Sequence, residues 1–256
     1  MECCVTCFSR FGREIETILH EVQKVGTALL VEFYNQIPEA SEGEDRKKWE
    51  RKYQHALNDY KDMLQTRYTE GTLQRLVQHG NERGRRAAAL ALGLVGTMAS
   101  NFMLAERLHD EDILVRQLAC DALWRIWLQA GTEVENRELQ RLMRIRNREE
   151  ALAGLDVLAR QAPEFAEVHN QRAVVLFKMK EYQRSIADCE KAVELNPCHF
   201  GALAGMAQCY MNMRKPRMAL KSFRDSYRIN PNLQGIEETI RDLENVLGEE
   251  RKDDRI

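Results

Sequence analysis

Seven cysteines and six histidines are the side chains in this sequence best suited to metal or nucleophilic chemistry. Cys4 and Cys7 form a CxxC pair at the start of the chain, Cys3 sits beside them, and His20 follows at a zinc-finger-like distance. A structural zinc site takes four ligands. Cys3 is the one other candidate nearby, and no second pair follows. The crowding of Cys3, Cys4 and Cys7, with Arg10 and Arg13 behind them, also suits S-acylation and a membrane tether. Glu2, standing where glycine would be needed, excludes N-myristoylation. Incidental thiols at a frayed end are the third reading. The histidines are scattered, and there is no GxxxxGK[ST] loop, GxGxxG, GxSxG or HExxH. A non-catalytic chain without cofactor is therefore expected. A metal-dependent enzyme or metal protein, using the N-terminal cysteines or the histidines, is the alternative.

The remaining cysteines argue for a reducing compartment and a cytoplasmic setting. Cys120, Cys189 and Cys209 fall on apolar helix faces, where a free thiol behaves as a small hydrophobe. The total is odd and no framework of spaced pairs appears. A net charge of −2 predicts no bulk attraction to nucleic acid or to an anionic membrane. AAALALGLVGTMA is too short to span a bilayer, and its pattern suits a packed helix. The first twelve residues lack the apolar stretch of a secretory signal.

Positioning elements emerge from a repeat. Pro163, Pro197 and Pro231 are 34 residues apart and close the phrases QAPEF, LNPCHF and INPNL. The segments REEALAGLDVLARQAP, EYQRSIADCEKAVELNP and KPRMALKSFRDSYRINP superimpose without a gap. Ala151, Ser185 and Ala219 share one small position, and Leu155, Cys189 and Phe223 share a large one. A fixed period closed by proline marks a helical array.

This pattern resembles the tetratricopeptide repeat (TPR) family. Ala173, Leu176, Tyr182, Ser185, Ala192 and Pro197 take the family's positions in the middle unit. Ala207, Tyr210, Ala219, Phe223, Ser226 and Pro231 take them in the last. The first unit departs at Leu139, where the family has Gly or Ala. His169 and Leu203 stand in place of Trp, and Pro216 in place of Tyr. Between Gly71 and Gly131 a second period of about 31 residues pairs Leu73 with Leu104, Arg85 with Arg116 and Ala88 with Ala119. The phrase HDEDILVRQLACDAL resembles a HEAT repeat, in which Asp110 or Asp112 would cap the second helix. The resemblance implies that Arg85 and Arg116 brace neighbouring turns. Some HEAT-like enzymes hold iron on His-Glu steps in successive repeats; here a single such step, His20-Glu21, precedes the repeats.

The expected architecture is all-α, a right-handed α-solenoid of helix hairpins. An N-terminal hairpin covers 1–68 with a linker near 37–45, and its two helices carry Ile15 to Phe33 and Trp49 to Leu64. HEAT-like units span 69–131 and about three TPR-like units span 132–232. A capping helix and charged tail fill 233–256. Each pair should pack only on the next, and Trp124 and Trp127 should pack on the first TPR-like unit.

TPR geometry lines its concave wall with the first helix of each unit. That resemblance implies a peptide-binding face made by Asn136, Gln140, Met143 and Arg144, then Glu167, Asn170, Val174, Phe177 and Lys178, then Ala204, Gln208, Met211 and Asn212. Amides can bond an extended backbone, and Phe and Met offer apolar contacts. A protein or peptide partner is the expectation. Chaperone-binding relatives hold a terminal carboxylate with Lys, Asn and Arg. The matching positions here include Asn136, Gln140, Gln171, Gly201 and Gly205, which lack the cations, so chaperone C-terminal tails are not expected. The Arg-rich RLMRIRNR could meet phosphate, but at this spacing it reads as a solvated face.

Overall fold

The computed structural model describes residues 27–38 and 45–248, and every regular element among them is helical. The first part of the expected N-terminal helix, with Cys3, Cys4, Cys7 and His20, lies outside the described residues. Two compact units are present, one ending at Val95 and the other starting at Gly96. The division falls between the two HEAT-like hairpins.

In the first unit, α1 covers 27–35 of the described residues and α2 runs Arg46–Arg67. Asp45 starts α2 by accepting from Lys47 N at 2.9 Å. Leu57, Tyr60, Met63 and Leu64 are its buried stripe. The hairpin of α3 (Glu70–His79) and α4 (Glu82–Val95) then packs through Ala87, Ala88, Ala89 and Ala91, all buried. Small side chains allow the hydroxyl of Tyr60 to reach Ala87 O at 2.9 Å. Burial raises that phenol's pKa.

The second unit begins with a 3₁₀ turn, Met98–Ser100, and a short α5 (Asn101–Glu106). A further 3₁₀ turn leads to α6 (Ile113–Leu128), which Asp112 caps by accepting from Val115 N at 2.8 Å. Arg85 donates to Gly80 O, and Arg116 donates to Asp110 O and Glu111 O. Each of these contacts closes the turn before the arginine's own helix. Four hairpin helices of the array follow: α7 (Glu133–Leu142), α8 (Arg148–Gln161), α9 (Ala166–Lys178) and α10 (Tyr182–Leu195). The chain continues into α11 (Phe200–Asn212), α12 (Pro216–Ile229) and α13 (Ile236–Leu247). Thr132 and Glu135 form a reciprocal capping box on α7. Pro216 opens α12 at a position where its missing N–H costs nothing.

Small residues sit where adjacent helices touch. Ser185 Oγ donates to Ala173 O at 2.8 Å, and Ser226 Oγ donates to Phe200 O at 2.9 Å, so both buried hydroxyls are satisfied. The helix α13 closes the end by burying Ile240 and Leu243 against the last repeat.

The α5–α6 hairpin reaches well past its chain neighbours. Trp124 and Trp127 meet His199 and Phe200 at the start of α11, with Trp127 stacked on the His199 ring at 4.4 Å. Asn101 Nδ2 donates to Asn196 Oδ1 at 2.8 Å. His109 Nε2 donates to Arg228 O, and Asn232 Nδ2 donates to Leu108 O at 2.7 Å. Thus α5–α6 lies along the loops that carry Pro197 and Pro231, which connect one hairpin to the next. Contact only with the next pair does not describe this unit. The physical reason is that Trp124, Trp127, Asn101 and His109 offer partners to residues far along the chain.

Candidate interaction surface

Two acid–base groups organise the interior of the array. Arg172 on α9 donates to Asp188 on α10 at 2.7 and 2.5 Å and to Asp156 on α8 at 3.0 Å, tying three helices together. Burial works against the Asp188 carboxylate, yet Arg172 and the nearby His169 hold it below the usual carboxylate range.

The second group is Glu167 with His199, both 0 % exposed. Ala202 N–H donates to His199 Nδ1 at 3.1 Å, so the ring proton sits on Nε2 and is donated to Glu167 Oε2 at 2.9 Å. Asn170 Nδ2 and Gln171 Nε2 donate to the other carboxylate oxygen at 3.0 and 2.6 Å. Trp127, stacked on the imidazole, donates to Asn101 Oδ1 at 2.7 Å. Enclosed and hydrogen-bonded in this way, the pair offers no face to a substrate. It is a structural tie between α9, α11 and α6.

This placement sorts the residues expected to line the concave wall. Glu167 and Asn170 are buried in the network just described. Asn136 holds the turn before α7, accepting from Gly131 N and donating to Gly131 O and Gln129 O. Ala204 is half-buried, and Phe177 is half-buried against Tyr182 with ring centres 5.7 Å apart. Gln140, Met143, Arg144, Lys178, Gln208 and Asn212 are exposed, as are Val174 at 37 % and Met211 at 40 %. Asn212 Oδ1 accepts from the Tyr182 hydroxyl at 3.2 Å. The exposed members on α9 and α11 therefore cluster toward the C-terminal halves of those helices, where α6 makes none of the described hydrogen bonds or ring contacts.

Sequence reasoning missed His199 and its tie to Trp127. Their separation matches no repeat period, so only the aromatic and imidazole side chains themselves hinted at a shared site. Gly201 is explained by the same packing: a Cβ there would come within 2.6 Å of the Trp124 ring.

The described thiols are poor nucleophiles and poor ligands. Burial pushes Cys189 up to about 12, and raises Cys120, Cys198 and Cys209 as well. Among the described residues, no three His, Cys, Asp or Glu side chains converge as a metal site would require. No described helix is long and apolar enough to cross a membrane.

Comparison with known proteins places these elements. Residues 166–197 match the tetratricopeptide repeat model, and residues 69–159 match that of HEAT repeats. The HEAT match takes in α7 and α8 up to residue 159, the same unit whose Leu139 departs from the TPR pattern. A TPR repeat-containing protein of Rhizobium etli is 34% identical over 99 residues, which cover 39% of this chain and 47% of that relative. The chain thus spans about half the length of the relative it matches. Among solved structures, the first TPR of Spaghetti (RPAP3) bound to the HSP90 peptide SRMEEVD aligns over 45% of this chain and 91% of that one. Its identity is 19% and its TM-score 0.42. By these matches, a segment similar to HEAT repeats precedes a segment similar to a tetratricopeptide repeat.

Proposed function

We propose that this chain is a non-catalytic scaffold that receives a protein or peptide segment across the C-terminal halves of α9 and α11, with Gln140, Met143 and Arg144 of α7 extending the surface. The observation that carries the reading is the exposed strip of Val174, Lys178, Gln208, Met211 and Asn212 on two helices that pack together. Amides beside exposed apolar groups suit an extended backbone with alternating side chains. The helices are held by Arg172 and by the buried His199 pair, so little ordering is needed on binding. Lack of cations at Asn136, Gln140, Gln171, Gly201 and Gly205 argues against chaperone C-terminal tails as the partner, and a cytoplasmic setting fits the reduced thiols.

The test is affinity capture with mass spectrometry from the native cell, comparing wild type with Val174→Asp/Met211→Asp. Partners held by the wild type should be lost from the double variant, while its melting temperature stays within about 3 °C, as expected for exposed positions. Identical partner sets would remove this strip from the binding surface.

A further inference from the structure

The turns joining the two helices of each hairpin carry positive charge that borders the strip above and shares Arg144 and Lys178 with it. Arg146, Lys180 and Arg214 are 34 residues apart, and each stands two residues before the second helix of its hairpin. All three are exposed. Lys180 and Arg214 have φ of 65° and 57°, in the left-handed region. Their backbone surroundings superimpose. Met179 N–H reaches Val175 O and Glu181 N–H reaches Leu176 O, just as Met213 N–H reaches Cys209 O and Lys215 N–H reaches Tyr210 O. This helix-ending motif ordinarily takes Gly or Asn, because a Cβ is strained there. A long cation kept twice at such a position is an outlier that points to function at the turn.

The surroundings support that direction. Arg144, Lys178, Lys215 and Arg217 extend the charge on the same three turns. The acids there are Glu149, Glu150 and Glu181, and Glu181 is paired with Arg184 at 2.6 Å. The opposite edge of the array, at 162–165, 196–199 and 230–235, contains no Lys or Arg. Two of those three loops are already engaged by α5–α6. A hollow of about 410 Å³ opens beside Lys180, lined also by Glu181, Tyr182, Gln183, Arg184 and Met213.

We propose that this turn edge docks an acidic polypeptide segment running from turn to turn. The proposal rests on the scaffold reading and adds the charge and spacing of the partner. Packed helices lie roughly 8–10 Å apart, and a polyproline II chain advances about 3.1 Å per residue with every third side chain on one face. Carboxylates at about every third residue would therefore meet successive cations. A chain of net charge −2, with only a few cations at each turn, favours discrete carboxylates over the broad field of a membrane or nucleic acid.

The probe is a dye-labelled peptide of about 15 residues with Glu at every third position and Pro and Ala between, matched to the spacing above. Its Gln counterpart is the control. Phosphatidylserine vesicles and a single-stranded oligonucleotide report the other anion classes. Wild type should bind the Glu peptide about tenfold more tightly than the Gln peptide, the scale of a few exposed ion pairs, and the preference should fade with added salt. Arg146→Gln/Lys180→Gly/Arg214→Gly should lose that preference while melting no lower than wild type. Lys180→Asn/Arg214→Asn, equally at home in the left-handed region, should weaken it in the same direction if the glycines loosen the fold.

Equal binding of the two peptides overturns the proposal. So does an unchanged preference in the variants, or tighter binding of vesicles or oligonucleotide than of the Glu peptide. Cellular partners kept by the Gly variant but lost from Val174→Asp/Met211→Asp would remove the charged edge and leave the scaffold reading standing. Partners kept by both would remove both.

Discussion

At the scale of single residues, the interior of the second unit depends on charges that cannot be separated cheaply. Asp188 is the clearest case, buried beside Arg172 and held below its ordinary pKa. Its unfolded value is about 3.9. A carboxylate depressed by folding adds stability that is fully present above the unfolded pKa and is lost as pH falls through the lower folded one. The urea midpoint should therefore drop between about pH 4 and pH 2 in the wild type. Asp188→Asn should be weaker at neutral pH by about 3 kcal/mol, since it leaves Arg172 half-paired, and should show a shallower acid decline. Urea titrations at pH 7 and pH 3 measure both effects. A variant with the wild type's stability and pH slope would show that Arg172 is held by Asp156 alone.

At the scale of elements, proline spacing made the helix ends legible. Pro163, Pro197 and Pro231 each follow the last turn of a second helix, and Ser185 and Ser226 sit where close helix contact needs a small side chain with a satisfied hydroxyl. The partners of α6 were not legible, because periodicity reports which face a helix buries and not which loop covers it. Trp127 illustrates the gap: its position on an apolar stripe was plain, but its stacking on His199 depends on a turn 72 residues away. The exposed half of the candidate surface was equally hidden, since nothing in α9 alone distinguishes buried Glu167 from exposed Lys178. Trp127→Ala should cost about 3–5 kcal/mol, the range for emptying a buried indole site. Trp127→Phe should recover most of the packing while leaving the Asn101 carbonyl without its donor. Loss of less than about 1 kcal/mol in the Ala variant, by urea melting, would mean that α6 adds little to the array.

At the scale of the molecule, the break between Val95 and Gly96 divides the chain into units with their own buried cores. In the second unit, the ties from Asn101, His109 and Asn232 join its first hairpin to its last two. A fragment of residues 96–256 should therefore fold by itself and unfold cooperatively. Circular dichroism and a dispersed amide spectrum of the purified fragment would check this. A fragment lacking a sigmoidal melt would show that the second unit needs the first.

An array of hairpins joined only in series behaves like a coil spring, and its pitch yields to whatever it grips. Here α5–α6 fastens successive coils along one side, as a spine fastens pages. The rungs at Lys180 and Arg214 then keep a set separation, so under the docking proposed above the second unit would act as a calliper that measures a guest instead of moulding itself to it.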